Sequence, residues 1–426
     1  MKQLFIIVAL SSICCLACIR EKVDYNKPIV LGVERPEIYL PLVEGKRVGL
    51  LSNSTAVCGE DNELSLDYLL RNGVNITTIF SPEHGFRGFA DAGESVPSKV
   101  DEQTGIYIAS LFESGESDKI GGGERLDSVD VIMVDIQDIG LRYFTYYVSM
   151  MEMMNLAIEK NKEFIVLDRP NPNGSYVDGP ILDMKYKSGV GAIPIPVVHG
   201  LTLGEMATMI NEEGWLKDGK HLENLHIVEC KNYDHQRRYY LPVKCGPNLR
   251  TQHAVYLYPS VCFFEGTVVS LGRGTELSFE VFGHPDLKGH PSIKDNFHFT
   301  PLPISGAKHP RYEGQTCYGR DLRVIDDEKI IKKGVDLSYV IEAYNMMGSP
   351  GDSFFTPWFE KLIGRDYVRK MIIAGVSAEQ IKECWANDVE YFKQLRKKYL
   401  RYEEENCHPV SDSIPLPDVP LFFPSA

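Results

Sequence analysis

The sequence predicts a largely parallel, doubly wound α/β sheet followed by a smaller α+β unit, and three observations carry that expectation. Five short β-prone runs in the first half each end in a polar, chemically capable loop, with helical or loop crossovers between them. After about residue 250 that alternation gives way to aromatic stretches punctuated by glycine. Finally, 426 residues are too many for one ordinary core, which divides the chain into two domains.

Residues 1–18 read as an export signal to be set apart from the fold. Lys2 supplies a small basic start, and residues 4–16 form an apolar stretch too short to span a bilayer. The stretch ends in Leu16-Ala17-Cys18, similar to a bacterial lipobox with Cys18 as the lipidated first mature residue, although Cys15 stands where Leu or Val is usual. An exported periplasmic or outer-membrane lipoprotein is expected, touching the membrane only through that anchor. Residues 19–30 then form a tether, residues 31–252 the first domain and residues 253–426 the second.

The first strand is expected at residues 48–51, opening into Ser52-Asn53-Ser54-Thr55. A helix over residues 64–71 carries Leu66, Leu69 and Leu70 at helical spacing and stops at Asn72-Gly73. The strand at residues 76–80 breaks at Pro82 into a loop holding Glu83, His84 and Arg87 around two glycines. Residues 113–123, with three closing glycines, read as a mobile loop without a phosphate-binding pattern. Residues 131–134 form the next strand and end in Asp135-Ile136-Gln137-Asp138-Ile139-Gly140, followed by Arg142, Tyr143 and Tyr146.

A helix over residues 148–160 brings Met150, Met151, Met153 and Met154, which suit an adaptable core. Residues 164–167 lead into Asp168-Arg169-Pro170-Asn171, and residues 193–198 form a fifth run ending at His199-Gly200, weakened by Pro194 and Pro196. Thr202 and Glu205 make a capping box for the next helix. In the second domain, residues 256–283 read as β-rich, residues 337–347 as a helix, and Ser377 with Gln380 as the capping box of one long closing helix. Its apolar stripe is Ile381, Trp385, Val389, Phe392 and Leu395. A ligand is expected in the cleft between the domains.

A net charge of −14 argues against nucleic-acid or anionic-membrane surfaces, which need basic patches. No Gly-x-Gly-x-x-Gly follows the first strand, and Gly272-Arg273-Gly274 comes too late and lacks a third glycine, so no cofactor is expected. Seven scattered cysteines follow Cys18 without a Cys-x-x-Cys, so they read as buried small hydrophobes rather than metal or disulfide frameworks. No metal is expected, since a cluster of Glu83, His84, Asp135 and Asp138 lacks a His-Glu-x-x-His spacing.

The chemistry-bearing candidates are Glu83, His84, Asp135, Asp138, Asp168, Glu265 and Glu276. Any one of them also suits a structural ion pair. Two carboxyl groups facing a cleft supply what glycoside hydrolysis needs: one to protonate the leaving oxygen, another to stabilise or attack the oxocarbenium-like centre or to activate water. Tyr143 and Tyr146 can stack on a sugar face. On residue types alone, a hydrolase and a non-catalytic exported lipoprotein that binds sugar fragments remain equally open.

The phrases Ser81-Pro82-Glu83-His84-Gly85-Phe86-Arg87-Gly88, Asp135-Ile136-Gln137-Asp138-Ile139-Gly140, Leu167-Asp168-Arg169-Pro170-Asn171-Pro172 and Phe264-Glu265-Gly266-Thr267, in that order, resemble the exo-β-N-acetylmuramidase (NamZ-like) family from about Gly32 to Tyr402. One departure is Val198-His199-Gly200, where an Arg-His-Gly phrase is expected. The resemblance implies a Rossmann-like first domain, a smaller second domain and an exo-acting glycosidase. Such an enzyme would release N-acetylmuramic acid from the non-reducing end of peptidoglycan fragments in cell-wall recycling. By that resemblance Glu83 is the general acid, and Glu276, then Glu265, the second carboxylate. Arg87, Arg142, Arg169, Arg273 and His199 are the candidates for the anionic lactyl group. His84, Asp135, Asp138, Tyr143, Tyr146, Asp168 and Asn171 complete the implied sugar site.

Overall fold

The computed structural model describes residues 23–87, 90–91, 94–112 and 123–404. The signal stretch with Cys18, the start of the tether, nearly all of the loop at 113–123, and Cys407 lie outside the described residues.

The first domain runs α1 (Pro36–Val43), β1 (Val48–Ser52), a small hairpin of β2 (Val57–Cys58) and β3 (Glu63–Leu64), and α2 (Ser65–Arg71). It continues through β4 (Ile76–Ser81), β5 (Lys99–Val100), β6 (Tyr107–Ser110) and β7 (Val131–Asp135). Then come α3 (Tyr146–Glu159), β8 (Glu163–Leu167), α4 (Leu203–Glu212) and β9 (Leu225–Val228). Seven strands form one sheet in the order β5-β6-β4-β1-β7-β8-β9. Every neighbouring pair is parallel except β5 with β6.

Setting β5 aside, the chain winds outward from β1 in one direction through β4 and β6, then returns and winds the other way through β7, β8 and β9. This is the doubly wound order, with its switch point between β1 and β7. Period-2 alternation sends Leu51, Phe80, Ile132, Val134 and Phe164 to one face, against α3 and α4. Leu50, Ile79, Val131, Met133 and Ile165 go to the other face, against α1 and α2. Both faces are covered, which is why the strands read as near-continuous apolar runs. The methionines of α3 are core, as expected.

Three strands of this sheet, β5, β6 and β9, and the β2–β3 hairpin escaped the sequence reading, and one expected strand does not form. Residues 193–198 make only isolated bridges through Val198 to Leu141 and Asp178. Pro194 and Pro196 have no N–H to give a ladder, and the carbonyls are taken elsewhere: Ile195 O by Arg142 and Val197 O by the Arg142 backbone.

The second domain is more helical than expected. The aromatic stretch after residue 250 is α5 (Gln252–Val261), started by Thr251, whose Oγ1 accepts from Ala254 N at 3.0 Å. Residues 254–261 are buried all round, so no helical stripe marks them. Apart from isolated bridges, the β structure here, among the described residues, is a three-stranded antiparallel sheet of β10 (Val281–His284), β11 (His298–Phe299) and β12 (Cys317–Asp321). Helices α6 (Asp327–Lys333), α7 (Ser338–Met346), α8 (Trp358–Ile363) and α9 (Tyr367–Ile373) follow.

The closing helix has its Ser377/Gln380 capping box but breaks at Trp385 into α10 (Ala378–Glu383) and α11 (Ala386–Arg396). Trp385 is drawn inward, its indole N–H donating to Asp178 Oδ1 at 3.0 Å. Beyond it the chain leaves the second domain: Phe392 and Tyr399 pack into the first domain's sheet core. Cysteines 58, 230, 245, 262 and 317 are buried and unpaired, while Cys384 is exposed.

The two domains share a continuous core in which Ile139, Leu141, Tyr143, Val197 and Val198 pack with α5 and α8. Arg142 lies inside it, completely buried, and donates to the carbonyls of Pro180 (2.7 Å), Ile195 (2.8 Å) and Leu362 (2.8 Å). Gly364 accommodates the guanidinium: its φ is +81°, and a Cβ there would meet Arg142 Nη2 at 2.8 Å. Replacing Arg142 with Met leaves the buried carbonyls of Pro180 and Leu362 without this donor, at about 1–3 kcal/mol each, while Ile195 O keeps the Leu182 N–H. R142M should therefore lower the thermal unfolding midpoint by more than 5 °C in scanning calorimetry; an unchanged midpoint would show that the contacts carry no net stability.

Candidate active site

The carboxyl ends of the strands lie level. Ser52 pairs with Asp135 across β1 and β7, and Ser81 with Ser110 across β4 and β6. Glu83 sits two residues past the end of β4, on a turn that places His84 at φ +73°. A left-handed, non-glycine residue is strained, and such strain persists where surrounding contacts hold it. Here the His84 Nδ1–H donates to Ala90 O at 2.8 Å, and Ala90 N donates back to His84 O at 3.2 Å. Thr145, just before α3, donates from Oγ1 to Glu83 Oε2 at 3.1 Å.

These residues open onto a cavity of about 600 Å³ between the domains, within the range of small-molecule sites. The first domain contributes Glu83, His84, the run Tyr143–Tyr146, the loop from Lys187 to Val190, and the stretch around Asn248. The second contributes Tyr258, Glu265, Arg273, Phe279, Trp358 and Lys361. Edge-to-face contacts link Tyr146 to Phe144 (4.7 Å), Phe144 to Tyr258 (6.4 Å) and Tyr258 to Phe279 (4.7 Å), so one aromatic wall crosses the domain boundary. The Tyr143 hydroxyl is spent on that joint, donating to Pro259 O at 2.8 Å. Burial pushes the phenols of Tyr143 and Tyr146 up from their ordinary pKa, so both stay protonated.

On the facing wall, Arg273 Nε donates to Glu265 Oε1 at 2.6 Å, and the guanidinium lies over Phe279 at 4.9 Å. Burial alone would lower the Arg273 pKa, but the neighbouring Glu265 carboxylate outweighs it and raises it. Glu83, His84, Tyr143, Tyr146, Glu265 and Arg273 are thus brought together, as the sequence reading expected.

The other nominated residues are not in the cavity lining. Glu276, the first choice for the second carboxylate, is exposed and paired with Arg250 Nη1 at 2.6 Å. Arg87 donates from Nη2 to both oxygens of Asp101 at 2.9 and 3.0 Å. Asp135 and Arg169 form a fully buried pair, Nε to Oδ1 at 2.5 Å, inside the sheet edge. Arg142 is the domain joint described above. Asp168 accepts from the Thr202 and Tyr402 hydroxyls, both at 2.7 Å, and burial raises its carboxyl to about 6. Asn171 donates to Leu201 O and accepts from Asn173 N. His199 is buried, accepts from Leu201 N at 3.2 Å, and is held neutral by burial that pulls its pKa down to about 3.

Lining residues that went unnoticed in sequence include Thr145, Lys187, Asn248, Trp358 and Lys361. None sits in a reactive-looking phrase. Only Thr145, following the aromatic run that leaves β7, had a locating signal. Among the described residues, no group of three or more His, Cys, Asp and Glu is placed to hold a metal ion.

With that geometry in place, comparison with known proteins decides the family. Residues 48–253 match the N-terminal model of exo-β-N-acetylmuramidase NamZ, and residues 256–402 match the C-terminal model. The chain belongs to the NamZ family. It is 35% identical over 379 residues to the peptidoglycan β-N-acetylmuramidase NamZ of Bacillus subtilis, a match covering 85% of this chain and 89% of that protein. A crystal structure of a DUF1343 family protein from Bacteroides fragilis superposes with a TM-score of 0.80 at 48% identity, covering 89% of this chain and all of that one. A second from the same organism gives 0.72 at 28% identity, covering 88% and 99%. The two-domain NamZ architecture, with its parallel-dominated sheet, is therefore that of this chain.

Asp138 is a special case. It is buried just beyond β7, Oδ1 accepting from Gly140 N at 2.6 Å, while Oδ2 has no partner among the described residues. Burial raises its pKa from 3.8 to about 7. Between those values the folded protein holds a proton that the unfolded chain has released, so this group's contribution to stability falls as pH rises through that window. Asp138→Asn keeps an acceptor for Gly140 and stays neutral. Its stability relative to the parent should improve between pH 5 and pH 7 by about 1.4 kcal/mol per pH unit. Denaturant melts at pH 5 and 8 check this, and a pH-independent difference would refute it.

Proposed function

We propose that this protein is an exo-acting β-N-acetylmuramidase that releases N-acetylmuramic acid from peptidoglycan fragments, with Glu83 as its general acid. The observation that carries the reading is the placement of Glu83. It lies past a sheet edge, hydrogen-bonded by Thr145, in a sugar-sized cavity completed by a second domain, in a chain of the NamZ family. A carboxyl group so placed can hand its proton to the departing glycosidic oxygen. Glu265, held by Arg273 on the facing wall, replaces Glu276 as the second carboxylate. It faces the oxocarbenium-like centre or orients water there. The Tyr146 phenol and the strained His84 line the same cavity as the acid, and Thr145 holds it in place.

Export with a lipid on Cys18, followed by work on cell-wall fragments in recycling, completes the proposal. It is motivated by the apolar residues 4–16 and by Leu16-Ala17-Cys18. C18A, followed by detergent phase separation of whole-cell extract, should move the protein from the detergent to the aqueous phase; persistence in the detergent phase would overturn the anchor.

The central test is incubation with peptidoglycan digests and a chromogenic N-acetylmuramide, reading released monosaccharide by mass spectrometry. E83Q should cost between about 10² and 10⁴ in kcat with the melting temperature retained. E265Q should also be severely impaired, and E276Q should stay within about threefold of the parent. Full turnover by E83Q would remove it from the mechanism. Saturable binding without product in the parent would make the protein a sugar-binding lipoprotein instead.

A further inference from the structure

An N-acetylmuramyl substrate brings a carboxylate, on the lactyl ether, into a protein of net charge −14. Some cation must meet it. The basic groups nominated from sequence are all otherwise engaged: Arg87 by Asp101, Arg169 by Asp135, Arg142 by three carbonyls and Arg273 by Glu265, with His199 buried and neutral. Two cations remain among the cavity-lining residues without a carboxylate partner among the described residues: Lys187 and Lys361.

They differ in setting. Lys187 is exposed on a loop, where a solvated ammonium gains little from a carboxylate. Lys361 is half-buried on α8, its Nζ 4.8 Å from the ring centroid of Trp358, one turn back on the same helix. Trp358 is 37% exposed, unusual for its size, and lines the cavity. An indole face beside a held ammonium matches the two ends of the sugar: an apolar pyranose face to stack and an anionic arm to pair. The helix is fixed from behind by Arg142, which grips the carbonyl of Leu362, the residue after Lys361.

We propose that Lys361, with Trp358, forms the subsite that reads the lactyl carboxylate and so separates N-acetylmuramic acid from N-acetylglucosamine. The inference rests on the muramidase reading and names a specificity-determining pair within its site. A charge-assisted contact of this kind is uniform binding: it serves ground state and transition state alike, so its loss falls on KM rather than kcat.

The test measures affinity by calorimetry for N-acetylmuramic acid, its neutral lactyl amide and N-acetylglucosamine, alongside kcat and KM on a chromogenic N-acetylmuramide. The parent should prefer the acid over the amide by about tenfold or more. K361M should lose that preference and raise KM by a similar factor with kcat nearly kept, and K361R should restore most of both. W358A should weaken all three ligands together. Retention of the acid-over-amide ratio in K361M overturns the proposal, as does its loss in K187M instead. A parent that cleaves no muramide and binds none of the sugars sinks the muramidase reading, and this subsite with it. A parent that cleaves muramide while K361M keeps the ratio sinks the subsite alone.

Discussion

A single guanidinium with no acidic partner holds the molecule's two halves in register. Burial pulls the Arg142 pKa down to about 10, yet the group remains charged at neutral pH. Its positive charge is met by carbonyl dipoles from the crossover loop and from the first turn past Lys361 on α8. Carbonyls take up the Nη1 and Nη2 donors without introducing a negative charge that would need desolvating in turn. The same residue therefore decides how far the second domain stands from Glu83, and so the width of the cavity.

Around that joint, the sheet edge is wired mostly for structure. Asp135 and Arg169 neutralise each other within the switch-point crevice, and Asp168 organises Thr202, Gly204 and Tyr402. In open α/β proteins this crevice usually takes the ligand. Here the crevice proper is filled by its own ion pair. The open space has moved toward β4, where Glu83 and the second domain meet. Electrostatics thus separates a buried, self-satisfied layer from a cavity in which polar groups remain available to a substrate.

Much of the first domain was legible in sequence because strands buried on both faces leave uninterrupted apolar runs, and because the Thr202 capping box announces a helix start, as the Ser377 box does in the second domain. What defeated the reading had physical causes. Residues 193–198 look like a strand, but their prolines cannot enter a ladder. Residues 254–261 look like β structure because a helix buried on every side shows no stripe. The site was legible in part: Glu83, His84, Tyr146, Glu265 and Arg273 lie in reactive-looking phrases and do line the cavity. Asp135, Asp168 and Arg169 lie in equally reactive phrases and do not, because residue types reveal capacity to ionise and never the partner already holding it. Trp358 and Lys361 were invisible for the opposite reason: they sit in an ordinary amphipathic turn whose only distinction is the space it faces.

The return of the chain after Trp385 has a consequence for how the protein can be taken apart. Phe392 and Tyr399 plug the sheet core. Arg396 donates to Gly200 O at 2.7 Å, and Tyr402 reaches Asp168 and the backbone N–H of Cys230. The larger lobe is therefore stitched shut by residues 392–402, and the smaller lobe is spliced into it like an excursion that must come home. A gene cut between the lobes would yield a front half missing its own final staple. Such a protein has to be inherited, expressed and evolved as one piece.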